Sequence, residues 1–188
     1  MKILHIDASI RKESRTRLLS NYLISKLDGD ISYLSLTNEN IPSLNEESLK
    51  KRDNLIYKKE FDNEIFKYAR DFKDSDIIVI TAPFYDLSFP SLLKTYFENI
   101  NVSDLIFQYV DGFPKSLAKP KTIYYVTTSG GYIDNLEFSY GYVKSLGEAF
   151  YNAKEVILIK AEGLDIDYDK VDEIIDLKKK EIDKMFGK

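Results

Sequence analysis

The chain has 188 residues, enough to bury one α/β core and too few for two domains of ordinary size. Hydrophobic residues make up 44% and charged residues 31%, a globular balance, and a net charge of −4 argues against nucleic acid or an anionic membrane surface as the main partner. Cysteine is absent, which excludes disulfides, thiolate metal sites and cysteine nucleophiles and fits a cytoplasmic location; no apolar run approaches membrane-spanning length.

In chain order, residues 2–7 (KILHID) read as a strand that ends at Ala8-Ser9. Residues 14–27 carry Leu18, Leu19, Tyr22, Leu23 and Leu27 at helical spacing, with Ser14 as the candidate cap. Residues 31–36 alternate as a more exposed strand does, and a polar loop then leads into a long charged helix over 46–73. Residues 76–81 (DIIVIT) are apolar and β-branched almost throughout, as a strand buried on both faces must be. A helix starts near Pro90, a short F-x-Y segment follows at Phe107 and Tyr109, and 121–128 give a fourth main strand. A helix over 138–151, a strand over 154–160 and a helix over 168–186 complete the series.

Strict β/α alternation, with crossovers long enough for helices, implies an open parallel sheet covered on both faces. Five such units predict an α/β, flavodoxin-like three-layer sandwich in one domain over residues 1–188, with strand order 2-1-3-4-5. Ligands of such sheets bind beyond the carboxyl ends of the strands, so function is expected in the loops after strands 1, 3 and 4.

The first of these loops runs from Ser9 into a helix, and offers the hydroxyls of Ser9, Ser14 and Thr16 with the amides of Arg15 and Thr16. Free N–H groups at the positive end of a helix suit a phosphate. Neither a G-x-x-x-x-G-K-S/T nor a G-x-G-x-x-G pattern occurs, so ordinary nucleotide-triphosphatase and dinucleotide-binding sites are unsupported. The second loop, Pro83-Phe84-Tyr85-Asp86-Leu87, places aromatic side chains at a strand tip where they could wall a flat ring. The third, Thr128-Ser129-Gly130-Gly131, lets bare backbone approach such a ring. Taken singly, each reads equally as a cap, a piece of core or interface, or a tight turn. Together they describe a site for a mononucleotide with a flat ring system, with FMN as the candidate.

These residues resemble the FMN-dependent NAD(P)H azoreductases, flavodoxin-like relatives of the NAD(P)H:quinone oxidoreductases, over almost the whole chain. The resemblance rests on S-x-x-x-x-S-x-S/T at Ser9 to Thr16 and on A-P-F/M-Y-N/D-F/L at Ala82 to Leu87, which P-x-x-L-K-x-Y-F follows from Pro90 to Phe97. F-x-Y at Phe107 and Tyr109, T-x-G-G at Thr128 to Gly131 and A-E-G at Ala161 to Gly163 extend it. It implies FMN as cofactor, with Ser9, Ser14 and Thr16 on the phosphate, Phe84 to Leu87 along the isoalloxazine, and Thr128, Gly130 and Gly131 at its pyrimidine end. It also implies NADH or NADPH as donor, quinones or azo compounds as acceptors, ping-pong hydride transfer through flavin N5, and a homodimer with the flavin near its interface. Tyr132, Phe107 and Tyr109 would then line the substrate space. No catalytic acid, base or metal ligand is assigned, because the flavin carries the chemistry.

The chain departs from the family at Asp86, where asparagine is usual, and at Ser129, where arginine is common; its loop after Ser9 is one residue shorter. An Asp86 carboxylate facing the ring would oppose the charge of reduced flavin and lower its potential. The lone histidine, His5, lies inside strand 1 and reads as a buried, hydrogen-bonded structural residue. Asp7 lacks the further strand-end acids that a phosphoacceptor site needs. The competing functions are a one-electron FMN carrier serving a partner protein, and a flavin-free dimer of the same fold.

Overall fold

The computed structural model of the chain describes residues 1–135, 137–166 and 168–187. Its elements in order are β1 (Lys2–Asp7), α1 (Arg15–Ile24), β2 (Asp30–Ser35), α2 (Glu46–Tyr57), α3 (Lys67–Asp74), β3 (Ile77–Thr81) and α4 (Ser91–Ile100). Then follow β4 (Phe107–Val110), β5 (Phe113–Ser116), β6 (Thr122–Thr128), α5 (Tyr140–Ala149), β7 (Glu155–Ala161) and α6 (Val171–Met185).

Strands β2-β1-β3-β6-β7 pair in parallel in that order, which is the expected 2-1-3-4-5 arrangement once the separate β4–β5 hairpin is set aside. The two-residue period of a strand divides the core in two. Leu4, Ile6, Ile78, Ile80, Ile123 and Tyr125 face α2 to α5, while Ile3, Val79, Tyr124 and Val126 face Leu19 and Leu23 of α1 and Ile175 and Ile182 of α6. Each fully buried isoleucine or leucine contributes on the order of 2 kcal/mol by leaving water. The same alternation sends Asp7, Thr81 and Thr128, at the carboxyl ends of three neighbouring strands, to the face that carries α1.

The helix expected over 46–73 is two helices. Helix α2 ends at Tyr57, Lys59 takes a left-handed backbone (φ 58°), and Asn63 caps a 3₁₀ turn over Glu64–Phe66 that leads into α3. Beyond the break, Phe66, Ala69 and Phe72 lie in the core. The F-x-Y segment is β4, paired antiparallel with β5 across an Asp111-Gly112 turn in which both residues have positive φ.

Candidate functional site

The carboxyl ends of the central strands are stitched sideways by main-chain bonds. Ala8 N–H donates to Thr81 O (2.8 Å), Ala82 to Val126 O (3.0 Å), Phe84 to Thr128 O (3.0 Å) and Ser129 to Ala161 O (3.0 Å). The loops that leave these strands therefore share one rim, and they enclose an open cleft of about 1170 Å³. Its walls include Ser14, Arg15, Thr16, Pro83, Phe84, Tyr85, Thr128, Ser129 and Gly130, so all three loops singled out in the sequence meet there.

At the α1 end, Ser14 is the cap: its backbone is extended and its Oγ accepts from Arg17 N–H (3.2 Å). The first-turn N–H groups of Arg15 and Thr16 have no acceptor inside the helix and are available to an anion. Thr16 is buried and its Oγ1 lies 2.6 Å from Thr128 Oγ1, which locks the first loop to the third. Ser9 is 1% exposed and lies outside the cleft lining; among the described residues its Oγ makes no hydrogen bond of good geometry, though it is close enough to the Asp7 carboxylate to help lower that group's pKa. An orphaned hydroxyl at a strand end, beside the start of a helix, is what a phosphate group would satisfy.

The second loop is a tight turn. Tyr85 and Ser88 exchange both main-chain bonds at 2.8 Å, and Asp86 (φ 49°) and Leu87 (φ 66°) occupy its tip in left-handed conformations. Pro83, Phe84 and Tyr85 line the cleft; the exposed Asp86 and Leu87 stand outside its lining. In the third loop, Ser129 Oγ donates to Gly131 O (2.5 Å). Gly130 has a steric requirement, since a β-carbon there would collide with the Asp165 carboxylate. Gly131 and Tyr132 lie beyond the cleft lining, Tyr132 exposed and packed over Gly163. Phe107 is a core residue whose ring meets Phe150 (4.6 Å) and Tyr109 (5.5 Å), while Tyr109 is 63% exposed on the hairpin.

A fourth loop, after β7, completes the wall with Leu164, Asp165 and Tyr168. Gly163, Leu164 and Asp165 donate main-chain bonds to Gly131, Ser129 and Gly130, and Arg15 reaches across to Leu164 O (3.2 Å) and Asp165 Oδ1 (2.8 Å). Sequence reasoning noted Ala161-Glu162-Gly163 but gave the loop no role. The strand order was the available signal, since strand 5 adjoins strand 4 and opens on the same side.

Beneath the cleft lies a polar network on the α1 face. Asp7 is wholly buried, and its carboxylate accepts from Arg17 Nε (2.5 Å), Ser9 N–H (2.8 Å) and Tyr33 OH (2.8 Å). Burial alone would raise its pKa; the hydrogen bonds from Arg17, Ser9 and Tyr33 outweigh that and hold it below its ordinary value. His5 is 2% exposed, its Nε2 sits 2.8 Å from Thr81 Oγ1, and burial lowers its pKa to about 4.

Residues 1–186 match the family described by its flavodoxin-like fold. The chain is 30% identical over 174 residues to an FMN-dependent NADH:quinone oxidoreductase of Clostridium perfringens, covering 88% of this chain and 87% of that one. It is 32% identical over 172 residues to a protein of the same description from Stenotrophomonas maltophilia, covering 87% and 85% respectively. The crystal structure of an azoreductase from Bacillus anthracis superposes with a TM-score of 0.86 at 22% identity over 98% of both chains, a likeness of fold.

Proposed function

Because the chain belongs to this flavodoxin-like family, we propose that it is an FMN-dependent NADH:quinone oxidoreductase, acting on quinones, azo compounds or both through the cleft at the strand ends. The observation that carries the reading is the buried, unpartnered Ser9 Oγ beside the Ser14-capped start of α1, a helix end that lines a cleft large enough for a mononucleotide and its substrate. Bound FMN would supply reversible acceptance of a hydride. Everything else falls to the chain. Ser9, Ser14 and the N–H groups of Arg15 and Thr16 would hold the phosphate, without a glycine-rich loop around it. Phe84 and Tyr85 would offer one wall to the flat ring, with the main chain of 128–130 opposite. The left-handed Asp86-Leu87 tip keeps these two aromatics at the mouth, where planar donor and acceptor enter in turn and water is displaced by apolar surface. One shared mouth favours a ping-pong order, and NADH as donor favours a cytoplasmic location.

The working unit is a homodimer on this reading. Tyr109, Val110 and Phe113 on the β4–β5 hairpin are all exposed, Phe113 at 76%, and apolar side chains grouped on a short two-stranded ribbon favour covering by a second copy.

The test is to load the protein with FMN, remove excess by desalting, and vary NADH and a benzoquinone together in steady-state assays. Retained yellow colour and parallel double-reciprocal lines support the proposal. Retained colour with negligible NADH oxidation favours an electron carrier, and a colourless protein after loading removes the flavin reading.

A further inference from the structure

Residues 10–13 of the first loop are all exposed, so apolar packing does little to fix the main chain that precedes the α1 start. One side chain does it instead. The Arg17 guanidinium donates from Nη2 to Ser9 O (2.9 Å), and from Nη1 to Lys12 O (2.8 Å) and Arg11 O (3.1 Å), while Nε donates to Asp7. Asp7 in turn holds Ser9 N–H with its other oxygen, so both main-chain groups of Ser9 are tied to this one ion pair. The fork is planar and delivers donors in several directions at once, which a lysine ammonium cannot do at the same positions.

We propose that Arg17, anchored by Asp7, is a positioning residue that holds the Ser9–Ser14 loop in its phosphate-receiving shape before the cofactor arrives. It acts through the loop and not by its own charge, since that charge is neutralised by a wholly buried carboxylate 2.5 Å away. The inference rests on the FMN reading of the cleft and adds to it the reason why a loop without glycine can receive a phosphate. A preformed loop leaves less ordering to be done on binding.

The test compares dissociation constants of FMN and riboflavin, measured by flavin fluorescence on apoprotein, for the wild type, Arg17→Lys and Asp7→Asn. Riboflavin has the ring and lacks the phosphate, so the ratio of the two constants isolates the loop. Arg17→Lys keeps the charge and loses the fork; it is expected to weaken FMN by about 10- to 100-fold while riboflavin changes by less than about threefold. Asp7→Asn leaves the loop one acceptor short and adds a net positive charge near the phosphate. The latch predicts weaker FMN binding there, whereas a purely electrostatic role for Arg17 predicts tighter binding. Unchanged FMN affinity in Arg17→Lys, tighter binding in Asp7→Asn, or equal losses for both flavins would overturn the proposal. If Asp7→Asn does not fold, the Arg17→Lys ratio decides alone. A wild type that binds FMN while its variants keep the ratio defeats only the latch; a wild type that binds neither flavin defeats the FMN reading and the latch with it.

Discussion

Two loops of the cleft reach a fixed shape by opposite means. The loop after β1 is held from below, by an ion pair between buried Asp7 and half-buried Arg17, whose guanidinium gathers three main-chain carbonyls. The turn after β3 is held from within, by the paired bonds of Tyr85 and Ser88, with Asp86 and Leu87 forced into left-handed backbone at its exposed tip. The first should be stiff and sensitive to charge and pH. The second should tolerate side-chain change and even gain from it. An anion site gains from a preformed ring of donors, whereas a wall for a flat ring needs only its aromatics kept at the mouth.

The contrast breaks first at Asp7. Replacing it by alanine leaves Arg17 Nε, Ser9 N–H and Tyr33 OH without their acceptor; Ser9 is buried while Arg17 and Tyr33 reach solvent, so the expected cost is about 2 to 3 kcal/mol in urea unfolding of the apoprotein. A loss below about 1 kcal/mol would mean that the network contributes little. pH provides the next test. His5 stays neutral in the folded chain down to about pH 4, whereas in the unfolded chain it takes a proton near pH 6.5. The unfolded state thus binds more protons between these values, so stability falls as pH drops through that window, by roughly 3 kcal/mol from this group. His5→Gln should flatten the slope. Asp7, with its lowered pKa, keeps its contribution through this window and loses it only in stronger acid, as pH falls through its folded-state value.

At the β3 turn the expected effects are smaller and one is of opposite sign. Leu87→Asn puts a residue that accepts left-handed backbone at φ 66°, and should raise the unfolding free energy by about 1 kcal/mol. Destabilisation there would show that the leucine side chain is held by contacts outweighing its backbone strain. Asp86→Asn is the mildest. The carboxylate is exposed and outside the cleft lining, so its charge acts from a distance; at about 10 Å in water-like surroundings that is roughly 0.4 kcal/mol, or about 10 mV upward for a two-electron couple. A rise of several times that, in a dye-equilibration measurement, would mean that the carboxylate turns onto the ring.

The sheet was readable because the apolar runs of β1, β3, β6 and β7 have strand length and strand composition. The loops that meet at the cleft follow from strand order alone. Two features were present in the letters and went unread: Asp111-Gly112 as a hairpin turn between β4 and β5, and Asn63 as a cap interrupting the 46–73 stretch. Others lie beyond one-dimensional pattern. Arg11, Arg15 and Arg17 look alike in sequence, and which one turns inward depends on the rotation of α1 over the sheet. Thr16, Ser20 and Leu23 set that rotation by facing the core, and it carries Arg17 to Asp7 while Arg15 reaches Asp165 instead. Asp7 was weighed as a phosphoacceptor and set aside; its partner could be found only in three dimensions.

A crystal structure of the protein with FMN tests the central claim most directly. The account predicts the phosphate within hydrogen-bond reach of Ser9 Oγ and the N–H groups of Arg15 and Thr16, with the ring between Phe84-Tyr85 and the main chain of 128–130. A phosphate held out at Arg11 and Lys12 on the rim, with Ser9 Oγ still unpartnered, would contradict it.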